Sequence, residues 1–263
     1  MEIIVNGIKT HYRVFLYPTE SPSRFAPDQL FLILHGWESN SERWVEVAER
    51  ISRAGYEVIV PDMPGFGKSD PLLMPWDTNR YINWLEGFIK ELNLKDYYLL
   101  GHSFGGALAS KMAVKKPQEI KKLFLVSAAC IRKKTGLEAN KKKFFKKIAK
   151  IIKNFYFLPY YNFFRKAVYK FIIRKSDYVH LSGFLKETYL NIINEDLSFH
   201  LPFIKVPTVV IWGEKDNLTP IGEGQVIAHK IKGSKLVVIA NAGHDLNRKQ
   251  PEILAEKILE NVS

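Results

Sequence analysis

From residue 30 onward, short runs of β-branched and aliphatic residues alternate with longer stretches whose apolar residues recur at helical spacing. Few folds accept such an alternation. Neighbouring parallel strands must be joined by crossovers, usually helices, and those crossovers cover both faces of the sheet. Strands covered on both faces read as near-continuous apolar runs, as several of these do. The pattern predicts strands over 3–5, 10–17, 30–34, 57–60, 97–100, 122–126, 208–212 and 236–239. Helices are predicted over 42–53, 78–92, 105–115, 221–230 and 251–261. Asn6-Gly7 between the first two strands is a hairpin turn signal, so the chain opens on an antiparallel pair. The expected architecture is α/β: a mostly parallel eight-stranded sheet covered by helices on both faces, with a helical cap inserted after strand 6.

That insertion is marked by charge. The chain carries a formal +12, and residues 130–200 hold 16 Lys and Arg against 5 Asp and Glu, while the remainder is nearly balanced. The same stretch contains 15 of the 34 aromatic residues and no Trp. Over 140–157, Phe144, Phe145, Ile148, Ile151, Ile152 and Phe155 fall on one helical face, with lysines largely on the other. Pro159 ends that helix, and further helices are predicted over 161–175 and 179–193. The domain reading is therefore a core of 1–130 and 201–263 with a cap of 131–200. A cap inserted there lies over the carboxyl ends of the strands, where a parallel sheet places its site. Its basic face fits three roles: a solvated surface over that site, contact with an anionic membrane, or steering of anionic substrates. No nucleic-acid recognition motif accompanies the charge, so nucleic acid is not an expected partner.

At 263 residues the chain buries an ample core without staples. Cys130 is the only cysteine, so no intrachain disulfide forms. The start of the chain lacks a basic and apolar leader, and no apolar run reaches the length of a membrane span, which points to a soluble, cytoplasmic protein.

Chemistry enters at Gly101-His102-Ser103-Phe104-Gly105, set between a predicted strand and a predicted helix. That context is a nucleophile elbow, a corner so tight that a side chain two residues before or after the serine would strike its neighbours. A serine hydroxyl needs a base, and the base needs an acid to fix its tautomer. Loops leaving the seventh and eighth strands supply both: Asp216 in Gly213-Glu214-Lys215-Asp216-Asn217, and His244 in Asn241-Ala242-Gly243-His244-Asp245. Glu214 is the rival acid, and Asp216 has a competing reading as a cap for the helix before which it stands. After the third strand, His35-Gly36-Trp37 offers the Trp37 amide to an oxyanion hole, and the Phe104 amide completes it. His35 and His102 read as structural histidines bonded to backbone, residues 62–70 as a glycine-shaped loop, and Cys130 as inert.

Together His35-Gly36-Trp37, the segment from Pro61 to Asp70, Gly101 to Gly105, Gly213 to Asp216 and Gly243-His244 stand in the order seen in α/β-hydrolase fold serine hydrolases, and the chain resembles the lidded group of that family. Epoxide hydrolases and haloalkane dehalogenases share the fold but carry aspartate at the elbow, and Ser103 argues against both. The resemblance implies a carboxylic-ester hydrolase acting on a small-molecule acyl ester, with catalytic Ser103, Asp216 and His244, and with no metal or cofactor. Competing implications are a carbon-carbon bond hydrolase of ring-fission products, a membrane-associated lipid hydrolase and a catalytically silent ligand-binding protein. A neutral His244 base further implies activity that falls below a pH of about 6 to 7. Acyl-chain length, alcohol moiety and oligomeric state are not written in these motifs.

Overall fold

The computed structural model of the protein describes residues 1–16, 29–132 and 183–262. Eight strands form one sheet: β1 (Glu2–Val5), β2 (Ile8–Phe15), β3 (Leu30–Leu34), β4 (Glu57–Pro61), β5 (Tyr97–His102), β6 (Ile120–Val126), β7 (Thr208–Gly213) and β8 (Lys235–Ile239). Their order is β1-β2-β4-β3-β5-β6-β7-β8. The β1–β2 and β2–β4 pairs are antiparallel and every other pair is parallel.

Helices cover both faces, as the alternation requires. Side chains that alternate along each strand feed two cores. Leu30, Leu32 and Leu34 enter a core with Leu85 and Phe88 of α2 (Thr78–Glu91) and Leu108 of α3 (Phe104–Lys115). Phe31 and Ile33 enter the opposite core with Ala48 and Ile51 of α1 (Val45–Arg53). The same two layers continue toward the other edge of the sheet. Ile227 of α5 (Ile221–Lys230) belongs to the first, and Leu254 and Ile258 of α6 (Pro251–Leu259) belong to the second.

Several boundaries differ from the sequence reading for identifiable reasons. Strand β2 starts at Ile8, because Asn6 and Gly7, with φ of 50° and 80°, close a two-residue turn that pairs Val5 directly with Ile8. The helix predicted from residue 42 begins as a 3-10 turn, Ser41–Trp44, with Asn40 accepting from the Arg43 amide. Strand β5 runs on to His102, so Ser103 stands directly at the strand's carboxyl end.

Of the predicted cap helices, those over 140–157 and 161–175, with the basic face, lie outside the described residues. The last is α4 (Phe184–Asn194), shifted from the predicted 179–193. It is tied down on three sides. The Trp76 amide donates to Thr188 Oγ1 at 2.9 Å, and Asn191 Nδ2 donates to the Trp76 carbonyl at 3.1 Å. Just past the helix, Glu195 accepts from Lys111 Nζ at 2.6 Å and from Thr78 Oγ1 at 2.5 Å. Among the described residues no helix is long and apolar enough to cross a membrane.

Candidate active site

Ser103 sits between β5 and α3 with φ 51° and ψ −114°, a backbone conformation rare for any residue but glycine. Holding it costs about 1–3 kcal/mol, so the surroundings must over-determine it. They do so from both ends of the peptide. The Ser103 amide donates to the Val126 carbonyl at 3.0 Å, and its own carbonyl accepts from Ala107 at 3.1 Å and Ala129 at 2.9 Å. The flanking glycines let the elements close on this corner. A Cβ on Gly101 would lie 2.3 Å from the Gly105 carbonyl oxygen, and one on Gly105 would lie 2.2 Å from that of Leu34.

The acid and base loops are stitched to each other. The Glu214 amide donates to Ile239 O at 3.0 Å and the Lys215 amide to Ala242 O at 2.7 Å. Glu214 itself accepts from the Asn241 amide at 2.9 Å at the exposed rim, so the rival acid is spent on the loop backbone. Asp216 is buried and makes the decisive contact: His244 Nδ1 lies 2.8 Å from its Oδ2. Its other oxygen, Oδ1, accepts from the Leu218 and Thr219 amides, each at 2.9 Å. Asp216 thus turns its own loop rather than capping α5, whose N-cap is Pro220. Burial pushes the Asp216 carboxyl up, but the hydrogen bond and charge of His244 and the Thr219 donors outweigh it and hold the group below the usual carboxylate range.

Ser103 and His244 line one cleft of about 240 Å³ together with Gly36, Trp37, His102 and Leu218. With Nδ1 engaged by Asp216, Nε2 is the imidazole nitrogen left for other partners. Of the two expected oxyanion donors, Trp37 lines the cleft and Phe104 directly follows Ser103. A Cβ added to Gly36 would stand 3.3 Å from Ser103 Cβ, so the turn carrying Trp37 presses on the serine. Phe104 is the first residue of α3, and its amide has no intrahelical acceptor. The Trp37 ring packs between Phe104, Phe66 and Tyr189 of α4, with centroids 5.6, 4.9 and 5.3 Å away.

Both structural histidines bond backbone. His35 Nδ1 donates to Gly36 O at 2.7 Å, while its Nε2 accepts from the Met63 amide at 2.9 Å. His102 Nε2 donates to the His244 carbonyl at 3.0 Å, tying the loop after β8 to the end of β5. Burial drives His35 down to about 4, and burial followed by the charge of His244 does the same to His102. Cys130 is buried, and desolvation pushes its thiol up to about 11, away from reactivity.

Two further residues are not legible in the sequence as site components. Asp62 is the hub of the glycine loop, accepting from the Ser41 amide at 2.6 Å and the Lys68 amide at 2.9 Å. Thr219 places its hydroxyl 2.9 Å from Asp216 Oδ2 and 3.2 Å from His244 Nδ1. The only sequence hint for Thr219 is its spacing, three residues past the acid. Among the described residues no group of three His, Cys, Asp or Glu is placed to hold a metal ion.

A serine at a strained strand-helix corner, on a sheet of this order, defines an α/β-type hydrolase, and the chain belongs to the alpha/beta hydrolase fold family, whose model matches residues 29–160 and 159–248. It is similar to a 2-hydroxy-6-oxononadienedioate/2-hydroxy-6-oxononatrienedioate hydrolase of a Pseudomonas species, at 24% identity over 82% of both chains. It is also similar to the monoacylglycerol lipase ABHD6 of Mus musculus, at 26% identity over 87% of this chain and 74% of that one. Among solved structures, an esterase from Exiguobacterium antarcticum shares the fold with a TM-score of 0.74 at 23% identity, over 99% of this chain and 98% of that one.

Proposed function

We propose that the protein hydrolyses carboxylic esters through an acyl-enzyme formed on Ser103. The observation that carries this reading is the 2.8 Å contact of His244 Nδ1 with the buried Asp216, on an imidazole that shares its cleft with the elbow serine. His244 Nε2 takes the hydroxyl proton as Ser103 Oγ bonds to the acyl carbon, and the Trp37 and Phe104 amides hold the resulting oxyanion. Because the Ser103 amide is already bonded to Val126, the next amide in the chain is the one left for that task. The tetrahedral species collapses as His244 returns the proton to the departing alkoxide. Water, deprotonated by the same imidazole, then attacks the acyl-enzyme and releases the acid. The Ser103→Ala variant should fold normally and lose turnover of short-chain p-nitrophenyl esters; undiminished hydrolysis sinks the reading.

A second reading is carbon-carbon bond hydrolysis, favoured by the similarity to the Pseudomonas hydrolase. It uses the same residues on a vinylogous diketone. Turnover of a ring-fission product faster than of any ester in a chain-length series would select it. The lipid-hydrolase variant of the ester reading draws on the resemblance to the monoacylglycerol lipase and on the lysine-rich 131–200 segment. Salt-sensitive co-sedimentation with anionic vesicles would support it.

A further inference from the structure

The acid of the site is held by more than its histidine. Asp216 Oδ2, His244 Nδ1 and Thr219 Oγ1 form a triangle with sides of 2.8, 2.9 and 3.2 Å. Thr219 is 7% exposed and Asp216 is 5% exposed, so no water competes freely for these contacts. A threonine hydroxyl has a single proton, and besides His244 Nδ1 two acceptors, the Asp216 carboxylate and the Ser127 carbonyl, lie within reach of it. Its separations are 2.9 Å to the Asp216 carboxylate, 3.2 Å to His244 Nδ1 and 3.3 Å to the Ser127 carbonyl. The carboxylate is both the shortest contact and the strongest acceptor, and the Nδ1 proton of His244 is already directed to the same oxygen.

We propose that Thr219 is a positioning residue whose hydroxyl donates to Asp216 Oδ2 and thereby sets how strongly the carboxylate holds His244, without touching the reacting atoms. This rests on the reading of Ser103, His244 and Asp216 as a hydrolytic triad. With the hydroxyl in place, the negative charge on Oδ2 is shared between two donors. Without it, the charge is concentrated on the imidazole alone, the carboxylate becomes more basic, and the protonated form of His244 is favoured. The other groups around His244 stay fixed in this comparison: His102 from β5, Glu38 and Arg43 from the connection after β3, and Asp245 and Arg248 beyond the histidine.

The test is Thr219→Val, which keeps the shape and removes the donor, beside Thr219→Ser, which keeps the donor and removes a methyl. The midpoint of the His244 imidazole titration, followed by NMR in the full chain, should rise by about half a unit in Thr219→Val. On the acid limb of kcat/KM that displacement reads as about a threefold loss, with kcat falling and KM unchanged. Thr219→Ser should restore both. An unchanged or lowered midpoint in Thr219→Val overturns the proposal, as does a Thr219→Ser variant as impaired as the valine. If Thr219→Val fails to fold, Thr219→Ala carries the same expectation. The NMR titration needs no turnover. An unmutated protein that neither cleaves esters nor reacts with a fluorophosphonate defeats the triad reading, and the titration still decides the role of Thr219.

Discussion

The two buried histidines make this fold specifically sensitive to acid. In the native chain His35 and His102 resist protonation until a pH of about 4, whereas an unfolded imidazole takes up its proton near 6.5. Between those values the unfolded state binds more protons, so stability rises with pH and is lost on acidification from 6.5 toward 4. Burial is the main reason, and for His35 the geometry agrees with it. Its Nε2 accepts from the Met63 amide, so a proton there would set two N–H groups against each other. Each pKa unit is worth about 1.4 kcal/mol, so at pH 5 each histidine should have withdrawn about 2 kcal/mol, and the pair about 4 kcal/mol. That is a large fraction of the 5–15 kcal/mol typical of a folded domain. The carboxyl groups of Asp62 and Asp216, both held low, act in the same direction but below their ordinary range, outside this window. Urea unfolding at steps between pH 7.5 and 5 measures the slope. His102→Gln retains a donor for the His244 carbonyl and removes the titration, so its loss over that interval should shrink to about 2 kcal/mol. A native stability flat to within about 1 kcal/mol, or an unaltered slope in the glutamine variant, refutes the argument.

Two other expectations separate rival readings. Asp216→Asn should lower kcat by about 10³- to 10⁴-fold, because an amide donor opposite Nδ1 imposes the wrong tautomer. Glu214→Gln, which can still accept from the Asn241 amide, should stay within about twofold of native kcat; equal losses in the two variants would return the acid to doubt. Gly105→Ala drives a Cβ to 2.2 Å from the Leu34 carbonyl, a backbone atom that cannot swing aside. It should cost about 3 kcal/mol and lower the urea midpoint, and a midpoint equal to native would show that the elbow is looser than described.

Much of the fold is legible in the sequence because it depends on periods and punctuation. Residues 30–34 are an unbroken apolar run, which by itself signals a doubly covered strand, and every side chain of β3 is buried. Pattern fails where local geometry overrides it. Strand β2 starts two residues early because its two-residue turn sets the register, and α1 starts late because Asn40 favours a 3-10 turn. Asp216 resembles a helix cap because Asp shortly before Pro-Ile ordinarily is one. The amides of Leu218 and Thr219 take its Oδ1 first, and Pro220 begins the helix without it. Asp62 stays hidden because the bonds it accepts from the Ser41 and Lys68 amides leave no periodic trace in the sequence, and Thr219 because the contacts of its hydroxyl with the Asp216 and His244 side chains leave none either.

Strand order shows why the site is only half legible. Neighbouring strands stand about 4.8 Å apart, and β5 and β8 are separated by β6 and β7. A histidine leaving β8 therefore starts about 14 Å from a serine leaving β5. The sequence places both at strand ends, but strand ends alone do not bring them together. The loop after β8 must fold back across two strands, and specific contacts hold it there. Gly213 has no Cβ, and a Cβ there would lie 2.5 Å from the Gly243 carbonyl, so the loop passes directly over β7. The Lys215 amide fastens it at Ala242, and His102 reaches from β5 to the His244 carbonyl. One of the two buried histidines that make the fold acid-sensitive is thus also the group that ties the His244 loop to the strand carrying Ser103. His102 is buried where it ties the loop after β8 to β5, and that burial is what opposes its protonation, so that acid sensitivity follows from how the cleft is assembled.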